Sequence, residues 1–127
     1  EKYQAGLAIR HAMFGADVTD AQINGASPFL RQMQDIVTEN CFGEVWTRPG
    51  LDRRARSIVN LSLLSAANRP TELKIHIRAA LNNGVTRAEI GEIFLQVALY
   101  AGVPTGSEAT RIAKELFAVI DAEAKAA

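Results

Sequence analysis

Apolar residues recur at every third or fourth position along almost the whole chain, and strict alternation is scarce, so the pattern specifies helices rather than strands. Tyr3, Leu7, Ala8, Met13 and Phe14 predict a first helix that ends near Gly15. A polar, alanine-containing connection from Asp17 to Ala26 leads to Ser27-Pro28, a cap followed by proline at the first helical position. The second helix runs from there to Trp46, with a stripe of Leu30, Met33, Val37 and Cys41 widened by Phe29, Ile36 and Phe42 as its buried face. After Arg48-Pro49-Gly50, Asp52 caps a third helix through Ala67 that is apolar nearly all round.

Asn68 and Pro70 open a fourth helix, which closes at Asn82-Asn83-Gly84, a sequence suited to a left-handed C-terminal cap. Thr86 and Glu89 form a capping box that starts a fifth helix, closed by Gly102-Val103-Pro104. The last runs from about Pro104 to Ala122, ahead of a frayed alanine-rich tail. Six helices predict an all-α fold, and the absence of a linker, low-complexity block or repeat predicts one domain over residues 1–127. A chain of this size buries roughly two-thirds of its extended surface and needs no disulfide to hold a core. The third and fifth helices carry more apolar surface than one small core can cover, which predicts a homo-oligomer.

The 14 basic and 14 acidic residues cancel, which argues against a general nucleic-acid or membrane-surface partner. The lone Cys41 can form neither an internal disulfide nor a structural zinc site, and its place on the apolar stripe predicts a buried, inert thiol. A reducing, cytoplasmic setting fits this usage, as does the lack of a membrane-spanning apolar run or a signal-peptide pattern. The chain begins at Glu1 rather than Met, which leaves room for residues upstream.

Two constellations could carry chemistry. On the fourth helix Glu72 and His76 are four residues apart and share a face, with Arg69 a turn earlier. They read either as a surface ion pair or as a carboxylate that raises and orients an imidazole for general acid-base work. Leu73 and Ala80 on the same stripe turn the pair partly inward, which favours the second reading. The other constellation is Trp46-Thr-Arg48-Pro-Gly-Leu-Asp-Arg53-Arg54-Ala-Arg56, an aromatic plane beside an arginine-rich turn. It reads either as a solvated helix start or as a holder for a small dianion, with bidentate arginines, an apolar wall, and partial offset by Glu44 and Asp52. His11 reads as a surface or core residue, and Asn82-Asn83-Gly84 as a cap rather than a phosphate cradle.

Phe42-Gly-Glu-Val-Trp-Thr-Arg-Pro-Gly-Leu-Asp-Arg-Arg-Ala-Arg56, His76-Ile-Arg-Ala-Ala-Leu-Asn-Asn-Gly-Val85 and Gln96-Val-Ala-Leu-Tyr-Ala-Gly-Val-Pro104 resemble the carboxymuconolactone decarboxylase family of the alkyl hydroperoxidase D-like superfamily. The resemblance is nearest to the 4-carboxymuconolactone (γ) decarboxylase branch. The redox members of that superfamily carry C-x-x-C followed one helical turn later by His, where this chain has Arg69, Glu72 and His76. Without the two cysteines, thiol peroxidase chemistry is excluded.

The resemblance implies a ring-like oligomer, a hexamer, that decarboxylates a small anionic lactone without a cofactor in protocatechuate catabolism, giving the β-ketoadipate enol-lactone. In that scheme His76, tuned by Glu72, protonates the dienolate left by CO2. Arg48 and Arg56, with Arg53 and Arg69 behind them, hold the substrate, and Trp46 walls the pocket. Thr105-Gly-Ser-Glu108 departs from the branch pattern, and Glu108 would repel a dianion unless an arginine pairs with it. Two other readings are a relative acting on a different small carboxylate or lactone, and a non-catalytic helical oligomer.

Overall fold

The computed structural model describes residues 1–127, and every regular element is helical. Seven α-helices are present: α1 (Lys2–Phe14), α2 (Ala16–Asn24), α3 (Pro28–Ile36), α4 (Arg53–Ala66), α5 (Pro70–Asn82), α6 (Arg87–Ala101) and α7 (Val103–Ala126). A π-helical stretch, Val37–Val45, continues α3 without a break. The chain forms two compact units, Glu1–Arg56 and Ser57–Ala127.

The seventh helix is α2, in the segment expected to be a polar connection. Only Thr19 and Ile23 of α2 are buried, too few apolar positions to mark a helix by periodicity. Gly15, at φ +93°, ends α1 and starts α2, a conformation that glycine adopts without a Cβ penalty.

In the N-terminal unit α1 packs on the π-helical stretch. Gly6 and Gly43 allow it: a Cβ on Gly43 would collide with the carbonyl oxygen of Lys2, and one on Gly6 with that of Thr38. The expected buried face of the second helix is corrected here. Phe29, Leu30, Met33 and Ile36 are exposed, Phe29 at 79%, while Thr38, Phe42 and Gly43 are buried. A π-helix spends an extra residue per turn, seen in the bond from Trp46 N to Cys41 O at 3.0 Å. That re-phases the inward side onto Thr38, Phe42 and Trp46 and leaves Cys41 exposed instead of buried. Phe42 anchors this core, edge-on to Phe14 at 5.7 Å and tilted against Trp46 at 5.8 Å.

The C-terminal unit is organised by Leu61 on α4, Leu73 and Ile77 on α5, Ile90 and Phe94 on α6, and Ile112 and Leu116 on α7. Its helix ends follow the local chemistry. Thr86 and Glu89 make the reciprocal capping box, and Gly84 (φ +93°) and Gly102 (φ +117°) end α5 and α6. α6 and α7 approach closely at Gly106, where a Cβ would stand 2.5 Å from that of Ala98. α7 remains helical through the expected frayed tail to Ala126. Val59 and Leu63 on α4 and Leu95 and Leu99 on α6 are exposed, the second apolar faces anticipated from the sequence. No helix is long and apolar enough to cross a membrane.

Candidate active site

α5 places the first constellation. Pro70 occupies its first turn, and Leu73, Ile77 and Ala80 point into the core, which sets the roll of the helix. His76 is thereby half-buried at the edge of that face, while Glu72, one turn earlier, is exposed. The expected buried pair is therefore half realised. The expected direction of the His76 pKa is also corrected: burial pushes it below the ordinary 6.5, and the charge of Glu72, which acts upward, is outweighed. Taking an imidazolium out of water costs more here than an exposed carboxylate returns.

The partner that the sequence reading missed is Asn60 on α4. Its Nδ2 lies 3.3 Å from His76 Nδ1, in a half-buried contact. The signal was available, because asparagine is disfavoured inside helices and Asn60 sits among Ile58, Val59 and Leu61. Below the ring's helix end, Asn83 donates from Nδ2 to the hydroxyl of buried Ser57 at 2.9 Å, so the Asn82-Asn83-Gly84 cap also ties α5 to α4.

Arg69, at the start of α5, is exposed and lines a crevice of about 10 Å³ with Thr105 and Glu108, room for no more than a water. Glu108 is ion-paired with Arg111, which meets the condition set for it in an anion-binding protein and holds its carboxyl below the usual range. A separate open cleft of about 400 Å³ between α4 and α6 is lined by Ile58, Ser62, Leu63, Ile93, Gln96 and Tyr100.

The second constellation lies in the N-terminal unit. Trp46 is buried beside Phe42. Arg56 donates from Nη2 to the main-chain carbonyl of Arg48 at 3.2 Å, which brings these two arginines together, and the buried Nε of Arg56 has no partner. Arg48 and Arg53 are exposed. The acids expected to offset this charge are engaged elsewhere. Glu44 pairs with Lys2 at 3.0 Å, and Asp52 caps α4 by accepting from Ala55 N at 2.8 Å.

A second omission of the sequence reading is Arg10, which is 5% exposed and has no carboxylate partner. Its guanidinium donates to Gln34 at 2.8 Å, Thr38 at 2.9 Å and Gln22 at 2.9 Å, leaving Nε unpaired, and burial lowers its pKa. His11 bridges to Asp20 at 2.8 Å between α1 and α2. Although Cys41 reaches the surface, partial desolvation holds its thiol above the ordinary value, against the downward pull of a Trp46 hydrogen bond and of Arg10.

Residues 31–115 match the carboxymuconolactone decarboxylase family. A 4-carboxymuconolactone decarboxylase of Acinetobacter baylyi is 38% identical over 117 residues, covering 92% of this chain and 87% of the relative. A nitrosuccinic acid decarboxylase of Metarhizium robertsii is 40% identical over 107 residues, 84% of this chain and 75% of the relative. With a family match across most of its length and relatives at this identity, the all-helical chain belongs to the carboxymuconolactone decarboxylase family.

Proposed function

We propose that this carboxy-lyase converts 4-carboxymuconolactone to the β-ketoadipate enol-lactone, the decarboxylation step of protocatechuate catabolism, without a cofactor. The observation that carries the reading is a half-buried histidine, His76, flanked by a carboxylate on its own helix and a carboxamide on the next. The A. baylyi relative supports the substrate.

The chemistry needs little from the protein. As the C–C bond to the departing carboxylate breaks, its electron pair moves into the conjugated lactone carbonyl, giving CO2 and a dienolate. His76 then delivers a proton to carbon and is reprotonated from solvent. The ring is biased to neutrality in the free protein, and the anionic substrate favours its protonation on binding. Arg48 and Arg56, joined by the bond from Arg56 Nη2 to the Arg48 carbonyl, hold the carboxylate that is retained. Arg53 and Arg69 add long-range attraction, and Trp46 supports the apolar wall on which CO2 departs.

A second reading is favoured by the M. robertsii relative. Nitrosuccinate is also a dicarboxylate that can lose one carboxyl group into a built-in electron sink, there the nitro group. The same machinery would serve it. We further infer a homo-oligomer from the apolar faces of α3, α4 and α6 that stand exposed in the single chain, a ring of six by its resemblance to the family, and a cytoplasmic setting from the single cysteine.

The test is a decarboxylation assay on both compounds, following CO2 and the enol-lactone or nitronate product. Lactone turnover that falls about 10²–10⁴-fold in His76→Gln supports the assignment. Turnover of nitrosuccinate alone selects the second reading, and near-wild-type turnover by a folded His76→Gln overturns the role of His76.

A further inference from the structure

Asn60 is a half-buried polar residue in the middle of α4 whose carboxamide nitrogen lies 3.3 Å from a ring nitrogen of His76. A carboxamide N–H₂ only donates, so the Nδ1 it faces must carry a lone pair, and the neutral ring then holds its proton on Nε2. Burial favours that neutral state. Leu61, the neighbour of Asn60, is fully buried, as are Leu73 and Ile77 on the facing helix, so neither α4 nor α5 is free to roll the contact away. Glu72 on α5 is the charged group acting on the ring, and α4 presents the neutral carboxamide.

We propose that Asn60 is a positioning residue that fixes the Nε2–H tautomer of the resting His76 ring, so that the proton gained on substrate binding enters at Nδ1 and the imidazolium then delivers its Nε2 proton. The inference rests on the role proposed above for His76 in decarboxylation. Asparagine suits the post because it can partner both states of the ring. Facing the neutral ring, its Nδ2 donates to Nδ1; when Nδ1 gains the second proton, rotation of the carboxamide lets Oδ1 accept from Nδ1–H, and that bond holds the ring after Nε2 has delivered its proton, until solvent reprotonates Nε2 and takes the proton from Nδ1. An aspartate would instead accept permanently, draw the proton to Nδ1 and favour imidazolium. An alanine would remove the group that singles out Nδ1 from the α4 side.

The experiment has one arm without substrate and one with it. Nitrogen-resolved NMR of ¹⁵N-histidine-labelled protein reads tautomer and titration directly, and the chain has two histidines, so a His11→Gln variant assigns the signals. Wild type is expected to carry its proton on Nε2 at neutral pH. Asn60→Asp should move it to Nδ1 and raise the titration midpoint, and Asn60→Ala should give a tautomer mixture. In turnover, Asn60→Ala should lose about 10-fold or more in kcat with little change in KM, and Asn60→Asp should shift the pH profile upward.

A wild-type proton on Nδ1, or spectra unmoved by Asn60→Asp, overturns the inference whatever the turnover. Altered spectra with unchanged kcat overturn the catalytic consequence. Melting curves screen both variants for folding, and Asn60→Gln, which keeps the carboxamide, should retain the Nε2–H signal if Asn60→Ala does not fold. Failure of the decarboxylase reading shows separately, as full activity in His76→Gln or no turnover in wild type.

Discussion

Gly6 of α1 and Gly43 of the π-helical stretch meet backbone to backbone: a Cβ on Gly6 would stand 2.8 Å from the main-chain nitrogen of Gly43. The neighbouring atoms are backbone, which cannot swing aside as a side chain can. Gly43→Ala should therefore destabilise the protein by about 2 kcal/mol or more, measured as a lower urea midpoint. Gly50→Ala, where a Cβ meets open space, should change little. Equal stability of Gly43→Ala and wild type would refute the close approach.

Arg10 offers a test of a different kind. Both terminal nitrogens of its fork are used, Nη1 on Gln34 and Thr38 and Nη2 on Gln22. A lysine presents a single compact ammonium and cannot span these acceptors. Arg10→Lys should cost about 1–3 kcal/mol despite keeping the charge, visible in chemical denaturation. A loss confined to Arg10→Met, with Arg10→Lys neutral, would mean that charge alone matters there.

His76 gives folding a pH dependence of definite sign. Its pKa is lowered in the folded chain from the ordinary 6.5, so the unfolded chain binds a proton that the folded one releases. The stabilisation from the neutral ring is complete above 6.5 and is lost as pH falls from there through the lowered native value. Between about pH 7.5 and 5.5 wild type should lose more stability than His76→Gln. Parallel curves would contradict the burial of the ring.

Arg56 should act on binding rather than on the chemical step. Its Nε is buried and unpaired while Nη2 holds the Arg48 carbonyl. Arg56→Met should raise KM for a dicarboxylate about 10–100-fold, the loss of one charged hydrogen-bonded contact, with kcat less affected. Steady-state kinetics that show kcat falling alone would assign Arg56 to the transition state instead.

How much of this was legible depended on the range of the interaction. The helix ends at Ser27-Pro28, Thr86-Glu89, Gly84 and Gly102 could be read directly, because caps and positive-φ turns are set by residues within one turn of each other. The four-residue spacing of Glu72 and His76 was legible for the same reason. Helix α2 was not, since its anchors Thr19 and Ile23 are too sparse to make a period. Nor was the site partner Asn60, sixteen residues from His76, because a contact between helices is invisible to spacing along one of them.

Hydrophobic periodicity named the elements of this protein and local cap chemistry bounded them, both through interactions that span only a few residues. Packing decided the rest. It turned the apolar stripe of α3 outward, through the extra residue per turn of a π-helix wedged against α1. It buried Arg10 among neutral acceptors, and it reversed the expected shift of His76, because desolvation depends on what surrounds a ring in three dimensions.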